Sequence, residues 1–180
     1  NFYPEDTTRA EVEAWIKSLP ADQQAAATGF FTTIRRDAAG KFMTVPYNVE
    51  YQPELTHAAR LLREAATTTT QPTLKKFLEL RARAFLTNDY YASDVAWMEL
   101  DASIEPTIGP YETYEDEWFG YKAAFEAFIT LRDDAETKKL DVFGSKLQEI
   151  ENALPIDPEL RNAKLGALAP IRVVNVVFAG

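Results

Sequence analysis

Residues 103–122, SIEPTIGPYETYEDEWFGYK, gather five carboxylates, Glu105, Glu112, Glu115, Asp116 and Glu117, among five aromatic side chains, Tyr111, Tyr114, Trp118, Phe119 and Tyr121. Acids in such company can ligate a hard metal ion, hold a substrate ammonium, or simply face water. The run Glu115-Asp116-Glu117 lacks the alternate ligand spacing and turn glycine of a calcium loop, and it reads as a solvated turn. Glu105 and Glu112 differ because they flank PTIGPY, where two prolines and a glycine impose an extended, sharply bent backbone. A strand carrying prolines belongs at a sheet edge, and its unpaired backbone groups can accept a peptide as an added strand. A carboxylate at the end of that edge suits the ammonium of a peptide N-terminus. The bland alternative is an edge strand and nothing more.

Other chemistries lack their residues. His57 is the single histidine, on a helical stretch, so no zincin motif exists in this chain. Arg63-Glu64 is a fragment of a Nudix-like pattern without its remaining glutamates. The glycines are scattered rather than clustered in a phosphate loop, and no nucleophile elbow occurs. The absence of cysteine excludes disulfides and thiolate chemistry, and a net charge of −9 argues against nucleic acid and anionic membranes. No apolar run approaches the ~20 residues of a membrane helix. The composition suits a soluble protein of cytoplasm or periplasm alike.

The elements that must position these residues follow from periodicity. A capping box, Thr8 with Glu11, opens a helix to Leu19, and Pro20 stops it. Residues 21–36 read as a second helix with a β-branched end. A turn at DAAGK leads to an extended stretch whose Pro46 forbids a central strand position. Pro53 starts a helix carrying Leu55, Ala58, Ala59 and Leu62, TTTTQP at 67–72 reads as a loop, and 73–86 form another helix. Strict alternation over 119–132 predicts a half-buried strand, with Phe128 the exception. Leu140, Phe143, Leu147, Ile150 and Leu154 predict one amphipathic helix over about 135–153, capped by Asp133 and Glu136. The closing APIRVVNVVFAG reads as a strand buried on both sides, which suggests a piece of a longer protein. The sum is an α+β fold: a single domain with N-terminal helices over about 1–100, then a mostly antiparallel sheet and one long amphipathic helix over about 101–180.

The segment 104–129, together with NDYYASDVAWMELD (88–101) and IRRDAAGKFMTVPY (34–47), resembles bacterial members of the dipeptidyl peptidase III family of zinc metallopeptidases. The resemblance implies a two-lobed hydrolase whose zinc sits on a His-Glu-x-x-Gly-His helix that this chain lacks. The chain then holds much of the other lobe and no metal or catalytic residue, with peptide substrate and the zinc-bearing remainder of the protein as its partners. By the same resemblance Glu105 binds the substrate α-ammonium, and Ile108 and Gly109 belong to the strand that pairs with the peptide. Thr107 stands where eukaryotic members carry a substrate-bonding tyrosine, and Tyr111 and Glu112 brace the site. A non-catalytic peptide- or protein-interaction module descended from such an enzyme is the other reading.

Overall fold

The architecture of the computed structural model, which describes residues 1–165 and 172–180, is α+β: eight helices and two small antiparallel sheets. Helix α1 (Arg9–Ser18) starts at the expected capping box, with both reciprocal bonds formed between Thr8 and Glu11. Helix α2 spans only Ala21–Ala27, and the chain then forms β1 (Thr32–Arg36), so the helix expected over 21–36 is half strand. The β-branched run Thr32-Thr33-Ile34 decides this, because it pairs in register with β2 (Phe42–Pro46) and Ile34 packs, fully buried, beside Val12 and Ile16.

After the short α3 (Tyr47–Glu50), helices α4 (Gln52–Thr68) and α5 (Pro72–Thr87) form an antiparallel hairpin and α6 (Tyr91–Met98) packs beside α5. Prolines at Pro53 and Pro72 fall in the first turns, where no backbone donor is lost. Helix α4 consumes Thr67 and Thr68, so the expected loop shrinks to the residues before Pro72.

The second sheet has the order β3-β4-β5, from Ile104–Glu112, Ala124–Arg132 and Val174–Ala179. Antiparallel register opposes Glu105 to Thr130, Thr107 to Phe128 and Gly109 to Glu126, which puts all six on one face. Ile104, Pro106, Ile108 and Ile129 share the other face, towards Leu62, Leu74, Leu78 and Phe85 of the hairpin. Phe125 continues that apolar face, its ring 5.6 Å from Tyr47 and 5.9 Å from Phe85. The alternation read from the sequence is therefore real but begins at Ala124. Residues 119–123 are held out of the strand by the Asp116 loop described below.

Two further expectations are corrected. The helix expected over 135–153 is two, α7 (Asp134–Gly144) and α8 (Leu147–Asn152), separated by Ser145 and Lys146; the Ser145 hydroxyl turns back to donate to the Val142 carbonyl at 2.8 Å. Its start is as expected, with Asp133 accepting from the Glu136 amide at 2.9 Å. The closing strand is no buried strand, since Val176 and Val177 are each 63% exposed among the described residues. Among the described residues it pairs only with β4 and lies at a sheet edge.

Candidate functional site

Strand β3 lies at a sheet edge, with β4 on one side and no neighbouring strand on the other among the described residues. On its Glu105 face two cavities open. One, of about 380 Å³, is lined by Glu105, Thr107, Thr130, Arg172 and the α6 residues Trp97 and Met98. The second, of about 370 Å³, is lined by Asp94, Trp97, Met98, Thr107, Tyr111 and Glu126. Trp97, Met98 and Thr107 belong to both, so the cavities are two ends of one groove running along β3 under α6.

At the first end Arg172 donates through Nη1 to Glu105 Oε1 at 2.5 Å and to the Leu100 carbonyl at 2.7 Å. The acid and the guanidinium are each about one-fifth exposed. Glu105 thus lines a cavity, and it already has a cationic partner from a residue 67 positions away. Its backbone carbonyl accepts from the Thr130 hydroxyl at 2.8 Å, which fixes the register of this end.

At the second end a buried cation organises the surroundings. Arg81 of α5 is completely buried. Its Nη2 donates to Asp94 Oδ1 at 2.6 Å and to the Tyr111 hydroxyl, and Tyr111 in turn donates to the same carboxylate oxygen at 3.0 Å. Its guanidinium carbon lies 5.3–5.4 Å from the ring centres of Phe77, Tyr90 and Tyr111. Burial pushes the Tyr111 phenol up, so it stays a donor. Gly109 makes the arrangement possible: an added Cβ there would lie 2.7 Å from Arg81 Nη1 and 3.0 Å from the Tyr111 ring. Arg81 Nη1 and Nε have no partner among the described residues.

The sequence-derived residues therefore divide. Glu105, Thr107 and Tyr111 line the groove, whereas Ile108 points to the opposite face against the helical hairpin. Gly109 is buried beside Arg81, and Glu112 lies past a register shift between Pro110 and Glu112. Sequence reasoning missed Asp94, Trp97, Met98, Glu126, Arg172 and Arg81. A signal existed for Arg81, because it falls at the i, i+3, i+4 spacing of Leu74, Phe77, Leu78, Ala82 and Phe85, on an otherwise apolar stripe.

The acidic run 115–117 needs correction. Glu115 and Glu117 are exposed, but Asp116 is buried. Its Oδ2 accepts from the Tyr3 hydroxyl at 2.7 Å, the Tyr121 amide at 2.9 Å and the Lys122 amide at 3.1 Å, while Oδ1 accepts from the amides of Trp118 and Phe119. The carboxylate is a structural anchor around which the loop to Lys122 winds, with Gly120 at φ +69° supplying the left-handed turn. Lys122 is fully buried and donates to the carbonyls of Ala27 and Gly29 and to the Thr32 hydroxyl.

His57 is exposed on α4, and among the described residues no group of three or more His, Cys, Asp or Glu side chains is placed to hold a metal. These residues do not fit a zinc site.

The fold thus places a groove between α6 and the Glu105 face of the second sheet. Comparison supplies the family. The profile of peptidase family M49 matches residues 9–166, and the chain belongs to that family. It is 72% identical to the dipeptidyl-peptidase III of Corallococcus sp. strain EGB, with a TM-score of 0.84 over 99% of this chain and 33% of that one. It is 53% identical to DPP III of Caldithrix abyssi, with a TM-score of 0.92 over 99% of this chain and 34% of that one. It is also 41% identical to a protein of Arabidopsis thaliana named Nudix hydrolase 3, over 99% of this chain and 26% of that protein. The chain thus spans about a third of the solved structures and about a quarter of the plant protein.

Proposed function

We propose that this chain is the substrate-binding portion of an M49 peptidase of the dipeptidyl peptidase III type, and that it holds the amino end of a peptide in the β3 groove. The zinc and the residues that activate water belong, on this reading, to another part of the same protein. The observation that carries the proposal is the shared lining of two cavities over the Glu105 face of the sheet, with Glu105 at one end and Asp94 and Glu126 at the other. An extended peptide lying there would meet the backbone of β3 near Glu105–Thr107, the flat apolar sides of Trp97 and Met98, and the Glu105 carboxylate.

Glu105 is held by Arg172 through Oε1. A peptide ammonium would therefore either bind the other carboxylate oxygen or displace the guanidinium. Both routes require the negative charge of Glu105 and neither requires its full exposure. A charge-assisted hydrogen bond is worth roughly 1.5–3 kcal/mol, about 10- to 100-fold in affinity. Calorimetric titration with a pentapeptide carrying a free amino terminus should show binding that drops by that factor in Glu105→Gln. N-acetylation of the peptide should have the same effect on the parent protein. Equal affinity for free and acetylated peptides would overturn the assignment of Glu105.

A further inference from the structure

The Arg172 guanidinium has more donors than its bond to Glu105 uses, and a second carboxylate stands beside it. Its Nη1 serves both Glu105 Oε1, at 2.5 Å, and the Leu100 carbonyl, at 2.7 Å. Its Nη2 faces Asp101 Oδ1 across 3.6 Å, within ion-pair range but beyond a hydrogen bond. The frame around the guanidinium is fixed. Next to Arg172, the Val173 amide donates to the Thr137 hydroxyl at 3.0 Å and the Val173 carbonyl accepts from the Asp133 amide at 2.9 Å. The Asp101 amide and carbonyl both bond the Thr73 hydroxyl, at 3.1 Å and 2.9 Å, and Thr130 holds the Glu105 carbonyl. With the backbone pinned at all three places, the guanidinium moves by side-chain rotation, and closing Nη2 onto Asp101 takes a shift of roughly 0.5–1 Å. Asp101 can receive it. Its side chain is 71% exposed, and Arg132, which donates to Oδ1 at 2.6 Å, has a second counter-ion in Asp134.

We propose that Arg172 is a movable internal counter-ion, which holds Glu105 until a ligand ammonium takes that carboxylate and then passes to Asp101. The proposal rests on the peptide-binding reading and selects one of its two routes: the ammonium displaces the guanidinium instead of sharing Glu105 with it. Sharing would set two cations against one largely buried carboxylate, whereas the exchange leaves each cation with an anion of its own. Exposure explains which carboxylate Arg172 holds before a ligand arrives. Glu105 and Arg172 are each about one-fifth exposed, so water and salt screen their pairing far less than a pairing with the exposed Asp101. The move to Asp101 is therefore uphill on its own, and the ligand ammonium drives it. Affinity for an amino end becomes a difference between ion pairs rather than the strength of one. Asp101 enters that difference without touching the ligand.

The guanidinium N–H signals of Arg172, followed by NMR, test the exchange without any ligand. Glu105→Gln removes the favoured anion and should send Arg172 to Asp101, so Asp101→Asn should shift these signals strongly in that background and weakly in the parent. Signals in Glu105→Gln that ignore Asp101→Asn would overturn the proposal. The Asp101 variant keeps the local fold, because the bonds to Thr73 use its backbone and not its carboxylate. The ligand arm is calorimetry with a pentapeptide carrying a free amino terminus. Asp101→Asn should weaken its binding about 2- to 5-fold in the parent, the range of an exposed ion pair, and leave it unchanged in Arg172→Ala. Equal weakening in both backgrounds would make Asp101 a ligand contact, and no weakening in the parent would leave Arg172 on Glu105; either result overturns the proposal. Absence of binding in every variant would refute the groove reading instead, and the passage of Arg172 to Asp101 would then be decided by the ligand-free signals.

Discussion

Replacing Asp116 by asparagine tests the central feature of the loop that carries the aromatic residues. The carboxylate receives five donors, three on Oδ2 and two on Oδ1, at 2.7–3.4 Å in a side chain that is 4% exposed. Asparagine keeps the volume but has one acceptor oxygen. Whichever way its amide lies, an NH₂ group faces two or three N–H or O–H donors. Hydrogen bonds to a charged group contribute roughly 1.5–3 kcal/mol each, and a buried donor left unpaired costs about 1–3 kcal/mol. Because the bonds share one acceptor and do not add, we expect about 3–5 kcal/mol in total, a large part of the ~5–15 kcal/mol of a typical domain. Urea unfolding followed by tryptophan fluorescence measures it, Trp118 being stacked on Tyr3 with ring centres 4.8 Å apart. The midpoint should fall with an unchanged slope. The exposed neighbours are internal controls, since Glu115→Gln and Glu117→Gln should each shift stability by less than about 0.5 kcal/mol. A loss below about 1 kcal/mol in Asp116→Asn, or equal losses at all three positions, would refute the anchoring argument.

Burial lowers the Lys122 ammonium to about 8, so the unfolded chain binds more protons than the folded one above that pH. Stability should therefore gain about 2 kcal/mol from this group between pH 8 and 10, and that slope should vanish in Lys122→Met when thermal or urea unfolding is compared across the window. The buried phenols of Tyr3 and Tyr47, pushed up and protonated in the fold, bring the opposite trend only above about pH 10. Gly109→Ala should destabilise by about 1–3 kcal/mol, because the new methyl would lie 2.7 Å from the completely buried Arg81 guanidinium. Near-neutral behaviour in urea would show that Arg81 does not depend on that space. Arg172→Ala should leave Glu105 unpaired and strengthen peptide ammonium binding several-fold by calorimetry, and weaker binding would show that Arg172 itself contacts the ligand.

What the chain reveals of itself follows the range of the interactions that matter. The capping box of α1, the first-turn prolines of α4 and α5 and the alternation of β4 depend on neighbours within a few residues, and each is legible in the sequence. Residues 32–36 were ambiguous because β-branched residues tolerate either state, and only the partner strand ten residues on resolves them. Asp116 looks like its exposed neighbours because the group that buries it, Tyr3, is 113 residues away. Arg172 and Glu105 are likewise joined only by the fold. Arg81 is the instructive intermediate. Its helical spacing marks it as facing the interior, where an arginine must find an anion and aromatic faces, and residues 77, 90, 94 and 111 supply them. A lone cation on an apolar stripe is thus a sequence-level pointer to a polar site built around it. Here that site is the end of the groove opposite Glu105, so the residue that best predicts where the groove runs is one that lines neither of its cavities.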